Sequence, residues 1–519
     1  MKMRRISAIL LCILILLPVA VSCGSRSGLN ALYEGDFVPH EKPALSSATD
    51  ELPFTDFPQT DAGFAFGIVK DAFAVYDLVS GKTVLEIPDG ERAGIPIVKT
   101  YQFDDTRCFS VRYSCSDSEG KALIRNALYS ADGTLVDSVD SASDATEQPE
   151  VLQNLDLLVF HEKIYRCENG AAVFVKNLPA GESVIATLQK KAGDFYYRYN
   201  ENGFTVYNKN CDYHGMYLYD LAADPTVYDL ENGNLLIQYS FRLPDDESTY
   251  DCFYSNTKRK LKTVLWNAEK KSAEEIDFPY LILEIAPVRY DEQHRSEQNY
   301  GMKFAKSVKN FASLTVIADK RPTETILAVL NNDGSIAQNL TATYPGMVKI
   351  PLPFGKDIFS YYTSTDQTFY VDAEGTVLRA DLSDVTTAGE LLLVNGKILD
   401  RSFRVLFDYA AEHYDFVQSY SGIVIFRRES TYYRYTKDGG MQEAKEINEA
   451  SSVEFEESFY WLQSKDDRQT PFHYYAPDGT CVYRAPVALE RLYGYENLTL
   501  RYYQDFSSGV TRFVLFRLK

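Results

Sequence analysis

From Phe64 to the end of the chain, apolar and polar residues alternate in short runs broken by glycine turns. FAVYDLVSGKTVLEI turns at Ser80-Gly81, and ALYSADGTLVDSV at Asp132-Gly133. The same unit recurs at Asn169-Gly170, Asn202-Gly203, Asn232-Gly233, Asp333-Gly334, Glu374-Gly375, Asn395-Gly396, Asp438-Gly439 and Asp478-Gly479. Alternation with period two predicts strands with one face turned inward, and Asn-Gly or Asp-Gly between two such runs predicts a hairpin. Residues 252–266, CFYSNTKRKLKTVLW, predict a further hairpin whose turn lacks Gly. Helical periodicity is scarce; Val487 to Tyr493 is the one stretch expected to make a turn or two.

Successive turn glycines are commonly about 40 residues apart, a rhythm that predicts a β-propeller. At about 50 to 60 residues per blade, the body accommodates seven or eight blades. Tandem β-sandwiches and a β-solenoid are the alternatives. The aromatic content suits pleated strands: 38 Tyr and 30 Phe against 2 Trp. In FYYRYN, Phe195, Tyr197 and Tyr199 share one face and Tyr196 and Arg198 the other. In TYYRYT, Tyr433 and Tyr435 lie opposite Tyr432 and Arg434. Such rings suit sugar or peptide contact, but their place inside strands favours filling of the gaps between sheets.

The N-terminus has a different texture. Lys2, Arg4 and Arg5 precede an apolar stretch from Ile6 to Val21, interrupted by Pro18. It is shorter than the roughly 20 residues a spanning helix needs, and its charged start is that of an export signal. Val19, Ala20, Val21, Ser22 and Cys23 resemble the lipobox of bacterial lipoproteins, although Ala20 stands where Leu is commonest. The resemblance implies cleavage after Ser22, lipid on Cys23 and attachment to the extracytoplasmic side of a cell membrane. Each buried lipid methylene contributes about 0.8 kcal/mol. Residues 23–62, with Pro39, Pro43, Pro53 and Pro58, read as a tether, and 63–519 as the propeller-like domain.

The charge balance is acidic, 73 Asp and Glu against 53 Lys and Arg. Loss of Lys2, Arg4 and Arg5 with the signal takes the net charge from −20 to about −23. That excludes nucleic acid as a natural partner and disfavours flat docking on anionic headgroups. An exported chain can oxidise its cysteines, yet Cys108, Cys115, Cys167, Cys211, Cys252 and Cys481 fit no disulfide framework, and buried free thiols are an equal expectation. On one strand, Cys108 and Cys115 would be about 23 Å apart and unable to bond.

Candidate chemistry is sparse. His40, His161, His214, His294, His413 and His473 lack ligand spacing, and no metal or cofactor is expected. Pro244-Asp245-Asp246-Glu247 lacks the donor spacing of a calcium loop. No nucleophile elbow, phosphate loop or dinucleotide fingerprint occurs. The body's turns resemble those of bacterial β-propeller lipoproteins in general, without WD, Trp-ended, kelch or Asp-box repeats. One polar segment breaks the rhythm, Ile285 to Gly301, and its Arg289, Tyr290, His294 and Arg295 are the candidate ligand loop. The expected function is a non-catalytic surface module binding a protein or glycan. An extracellular carbohydrate hydrolase and an envelope-assembly scaffold are the alternatives.

Overall fold

The computed structural model describes residues 33–34 and 44–518, less 143–150, 179–184, 243–249, 252–257, 286–305, 342–351, 379–385 and several shorter loops. The chain is all-β, a β-propeller built from four-stranded antiparallel sheets laid down one after another. Sheet 1 comprises Gln59–Asp61, Phe64–Val69, Ala72–Asp77 and Lys82–Pro88. Sheets 2, 3 and 4 begin at Ala93, Val151 and Lys190, and sheet 5, which has one extra strand, at Ala223. Sheets 6 to 10 begin at Tyr280, Leu352, Thr386, Asp415 and Ser452. Sheet 11 takes three strands from the C-terminus, Glu490–Tyr495, Leu498–Asp505 and Val510–Leu518, and its fourth from the N-terminus, Leu45–Thr49. Strands from near both ends of the chain are thereby joined in one sheet.

The middle strands carry the core. Ala72–Asp77 is buried along nearly its whole length and Phe64–Val69 along its first half, because sheets pack on both faces. The first and fourth strands are mostly exposed or half-buried. Apolar clusters join sheet 11 to 1, 1 to 2, 2 to 3, 3 to 4, 4 to 5 and 5 to 6. Others join 8 to 9, 9 to 10 and 10 to 11. The two aromatic runs divide between such joints as their alternation predicts. Tyr197 packs toward sheet 5 and Tyr196 toward sheet 3. Tyr435 packs toward sheet 8, and Tyr432 toward sheet 10.

Polar clasps accompany the apolar joints. Arg107 of sheet 2 donates to Asp77 Oδ1 of sheet 1 at 3.0 Å. Lys163 and Tyr165 of sheet 3 both donate to Asp137 Oδ2, at 2.7 and 2.6 Å. Arg501 of sheet 11 reaches Glu456 of sheet 10. A cation drawn from each pair of neighbours leaves few buried charges uncompensated.

The predicted turns that lie among the described residues form, and most of them join third to fourth strands. SADGT, NNDGS and APDGT make one geometry. Gly133 N donates to Ser130 O and Ser130 N to Thr134 O; residues 331–335 and 476–480 repeat both bonds. The Asp side chain accepts from the following Thr or Ser N–H, at 3.0, 2.9 and 2.8 Å. Gly133 has φ +85°, and a Cβ there would lie 2.0 Å from the Val84 carbonyl oxygen, so Gly is required for space as well as for conformation.

Three expectations differ from the structure. Glu490–Tyr495 is a strand, not helix, because sheet 11 pairs it with Leu498–Asp505; the short helix is Lys445–Asn448 instead. The tether was expected to reach residue 62, yet Leu45–Thr49 pairs with Val510–Leu518 and Gln59–Asp61 with Phe64–Phe66. Those short strands have weak patterns of their own and are held by partners that are already formed. Among the described residues the sheets of four or five strands also number eleven, because first-to-second turns such as Leu155-Asp156 and Glu496-Asn497 lack the glycine signal and most units are shorter than about 50 residues. The hairpin expected in 252–266 is present as Tyr250–Asp251 paired with Lys258–Arg259, its turn outside the described residues. Cys108, Cys115, Cys211 and Cys481 are free thiols, with Cys108 and Cys115 on one strand.

Candidate functional site

Up-down-up-down order sorts the connections onto two ends of the ring. First-to-second and third-to-fourth turns fall on one end, second-to-third turns and sheet-to-sheet connections on the other. The first end is built largely of tight turns, including 62–63, 155–156, 421–422 and 496–497. Leu45 opposite Leu518 shows that the N-terminal strand also enters there. The second end holds larger connections: 409–414, 444–451 and 464–471.

The residues singled out in the sequence do not build a described site. Ser22, Cys23, Arg289, Tyr290, His294, Arg295 and the acidic 244–247 loop lie outside the described residues. The candidate ligand loop connects the first two strands of sheet 6. At its far flank, Lys306 and Ser307 pair with Glu34 and Tyr33 of the N-terminal segment.

The best-equipped surface in the described chain lies on the second end, at the joint of sheets 8 and 9. The chain leaves sheet 8 through Phe407, crosses by Tyr409 and Tyr414, and enters sheet 9 at Asp415–Tyr420. Phe426, fully buried, is its centre. Tyr409 lies 4.9 Å from Phe426, Tyr414 6.2 Å and Phe416 6.4 Å. Tyr435 stacks on Phe407 at 5.6 Å, and Tyr433 meets Tyr414 edge-on at 5.3 Å. The cluster grades outward to Phe416, which is 44% exposed. At the rim, the exposed Arg428 guanidinium sits 5.3 Å over the Tyr414 ring, and Arg427 pairs with Asp415 at 3.5 Å. Burial pushes the Tyr409 and Tyr435 hydroxyls above their ordinary range, so both stay neutral donors at physiological pH.

Flat rings with polar tips, beside a cation, can stack on a sugar or hold an extended peptide. The strand TYYRYT supplies the inner part of this cluster as a gap filler, which was its expected role. The outer part comes from FDYAAEHYDF, residues 407–416, which sequence reading passed over. Its signal was four aromatics in a stretch without a hairpin glycine.

A second polar group on the same end orders a loop. Asp467 accepts from the Thr470 and Gln469 N–H groups at 2.9 and 3.0 Å and lies 3.3 Å from His473 Nε2. The Thr470 backbone and hydroxyl, with His473 and Gln469, hold its carboxyl well below the usual range. These bonds account for the loop's shape. His214 contacts the Ala268 carbonyl oxygen at 3.2 Å. No three His, Cys, Asp or Glu converge as a metal site among the described residues. No described helix is long and apolar enough to cross a membrane.

No family model and no curated protein matches the chain. Among solved structures it is similar to a eukaryotic initiation factor, at 8% identity, 85% of this chain, 90% of that one and TM-score 0.25. The β-propeller domain of the trilobed protease from Pyrococcus furiosus shows 7% identity, 67% and 98% coverage and TM-score 0.22. PorZ, a surface component of the type-IX secretion system of Porphyromonas gingivalis, shows 10%, 88% and 74%, and 0.19. At these scores none supplies a function.

Proposed function

We propose that the protein is a lipid-anchored module of the cell surface that binds a protein or glycan without transforming it. Lipid on Cys23 holds it, and the segment after Cys23 leads to Leu45 at the tight-turn end. The opposite end then faces away from the membrane. The observation that carries the reading is the partly exposed cluster of Tyr414, Phe416 and Arg428 on that outward end. A non-catalytic role is supported by the carboxylates at the joints, since Asp77, Asp137, Glu446 and Glu456 each have a cation as partner.

Two measurements test it. Lipid labelling of the expressed protein should be lost in Cys23→Ser. Binding of the purified protein to a panel of envelope glycans and peptides should find a ligand whose affinity falls at least about tenfold in Phe416→Ala with Tyr414→Ala. Turnover of any panel member, or binding unchanged in that variant, would overturn the binding face as assigned.

A further inference from the structure

We propose that the outer strand of sheet 4, Tyr213–Leu218, pairs edge to edge with the same strand of a second copy. Among the described residues it is bonded on one side, to Gly203–Asn208, and ends its sheet on the other. Its sequence, YHGMYL, has no charge. Tyr213, Met216 and Leu218 are 63%, 55% and 61% exposed.

Free edges are normally blunted by charge. The outer strands of the three preceding sheets follow that practice: Lys82–Pro88 carries Lys82 and Glu86, Leu135–Ala142 carries Asp137 and Asp140, and Ala171–Asn177 carries Lys176. Tyr213–Leu218 keeps the hazard. The inner side of the strand is held firmly. Gly215 sits against Trp266, where a Cβ would come within 2.5 Å of the ring, and His214 contacts the Ala268 carbonyl oxygen.

Register shows where the apolar residues point. Tyr213, Met216 and Leu218 oppose Tyr207, Thr205 and Gly203, on the face that meets sheet 3. Val173 of sheet 3 opposes Arg166, two residues from the packed Ile164, and so borders the same gap. It is 44% exposed. The edge is therefore flanked by apolar surface.

Charge selects the occupant. With a net charge of −20, two copies repel over most of their surface. An uncharged strand brings no like charges together when it meets itself, and the neighbouring Lys176–Asp212 pair, 2.8 Å apart, is internally neutral. A partner chosen by complementary charge finds nothing to read on this edge. Antiparallel pairing about a two-fold axis would extend sheet 4 across both copies. Six residues per edge make a small interface, so association in solution should be weak and concentration-dependent.

Sedimentation equilibrium of the full chain over a wide concentration range tests this, together with hydrogen exchange of residues 213–218. The expected result is a monomer–dimer equilibrium with protection of those amides rising with concentration. Met216→Lys with Leu218→Lys should raise the dissociation constant at least about tenfold. Met216→Thr, which suits a strand, should raise it less and guards against misfolding of the charged variant. A monomer at every concentration, or a dimer whose dissociation constant and exchange pattern do not change in the variants, would overturn the proposal.

Discussion

Sheet 9 meets its two neighbours through opposite faces of one strand, Thr431–Thr436, and the two joints are built differently. Toward sheet 8, Tyr433 and Tyr435 enter an aromatic cluster around Phe426. Toward sheet 10, Arg434 donates to Glu446, to the Tyr460 hydroxyl at 3.0 Å and to the Pro477 carbonyl oxygen at 2.8 Å. Tyr460 donates to Glu446 at 2.7 Å and lies flat on Tyr475, 5.4 Å between centroids. The aromatic joint is cohesive without a specified geometry, so its rim can remain open and offer rings to a ligand. The polar joint permits little but its own arrangement, because each donor and acceptor is directed at a named partner. The open aromatic rim and the closed polar lock lie on opposite faces of one strand.

The largest effect expected from breaking this contrast is at the aromatic centre. Phe426→Ala should lower unfolding free energy by about 3 to 5 kcal/mol, read by denaturant titration, because it leaves a cavity ringed by Phe407, Tyr409 and Tyr414. Glu446→Ala should cost less, about 2 to 3 kcal/mol, since Arg434 is then left partly buried without its carboxylate. A double-mutant cycle with Arg434→Ala should return a coupling above about 0.5 kcal/mol.

Removing single hydroxyls sharpens the comparison. Tyr460→Phe should cost about 1 kcal/mol, because two directed bonds are lost. Tyr435→Phe, whose ring keeps its stack on Phe407, should change stability by less than about 0.5 kcal/mol. The smallest difference is in alkali. Burial, then the Glu446 carboxylate, pushes the Tyr460 hydroxyl well above its ordinary range, whereas burial alone raises Tyr435. The unfolded chain loses these protons near pH 10. Their contribution is therefore complete below about pH 10 and is lost as pH rises toward the folded values. The alkaline fall in Tm should be shallower in Tyr460→Phe than in the parent, and changed less in Tyr435→Phe.

Much of the architecture was legible because it is local. Asp132-Gly133-Thr134, Asp333-Gly334-Ser335 and Asp478-Gly479-Thr480 make their turns from their own backbone and side chains. The division of FYYRYN and TYYRYT between two faces followed from period two. The proposed binding surface was not legible. Tyr414 and Phe416 are separated in sequence from Tyr433 by a complete hairpin, and only the pairing of the strands brings the rings together. The helix expected near Val487 failed for a similar reason: strand pairing with residues 498–505 overrides a weak local preference.

By itself, the sequence determined the strand period, the tight turns, the acidic surface and the apolar run before Cys23, all properties of neighbouring residues. Tertiary structure decided which joint became aromatic and which polar, and it recruited Leu45–Thr49 to close the last sheet. It also left Tyr213–Leu218 as an uncharged edge. Those outcomes depend on backbone groups and rings far apart in the chain, whose partners exist only once the sheets are stacked.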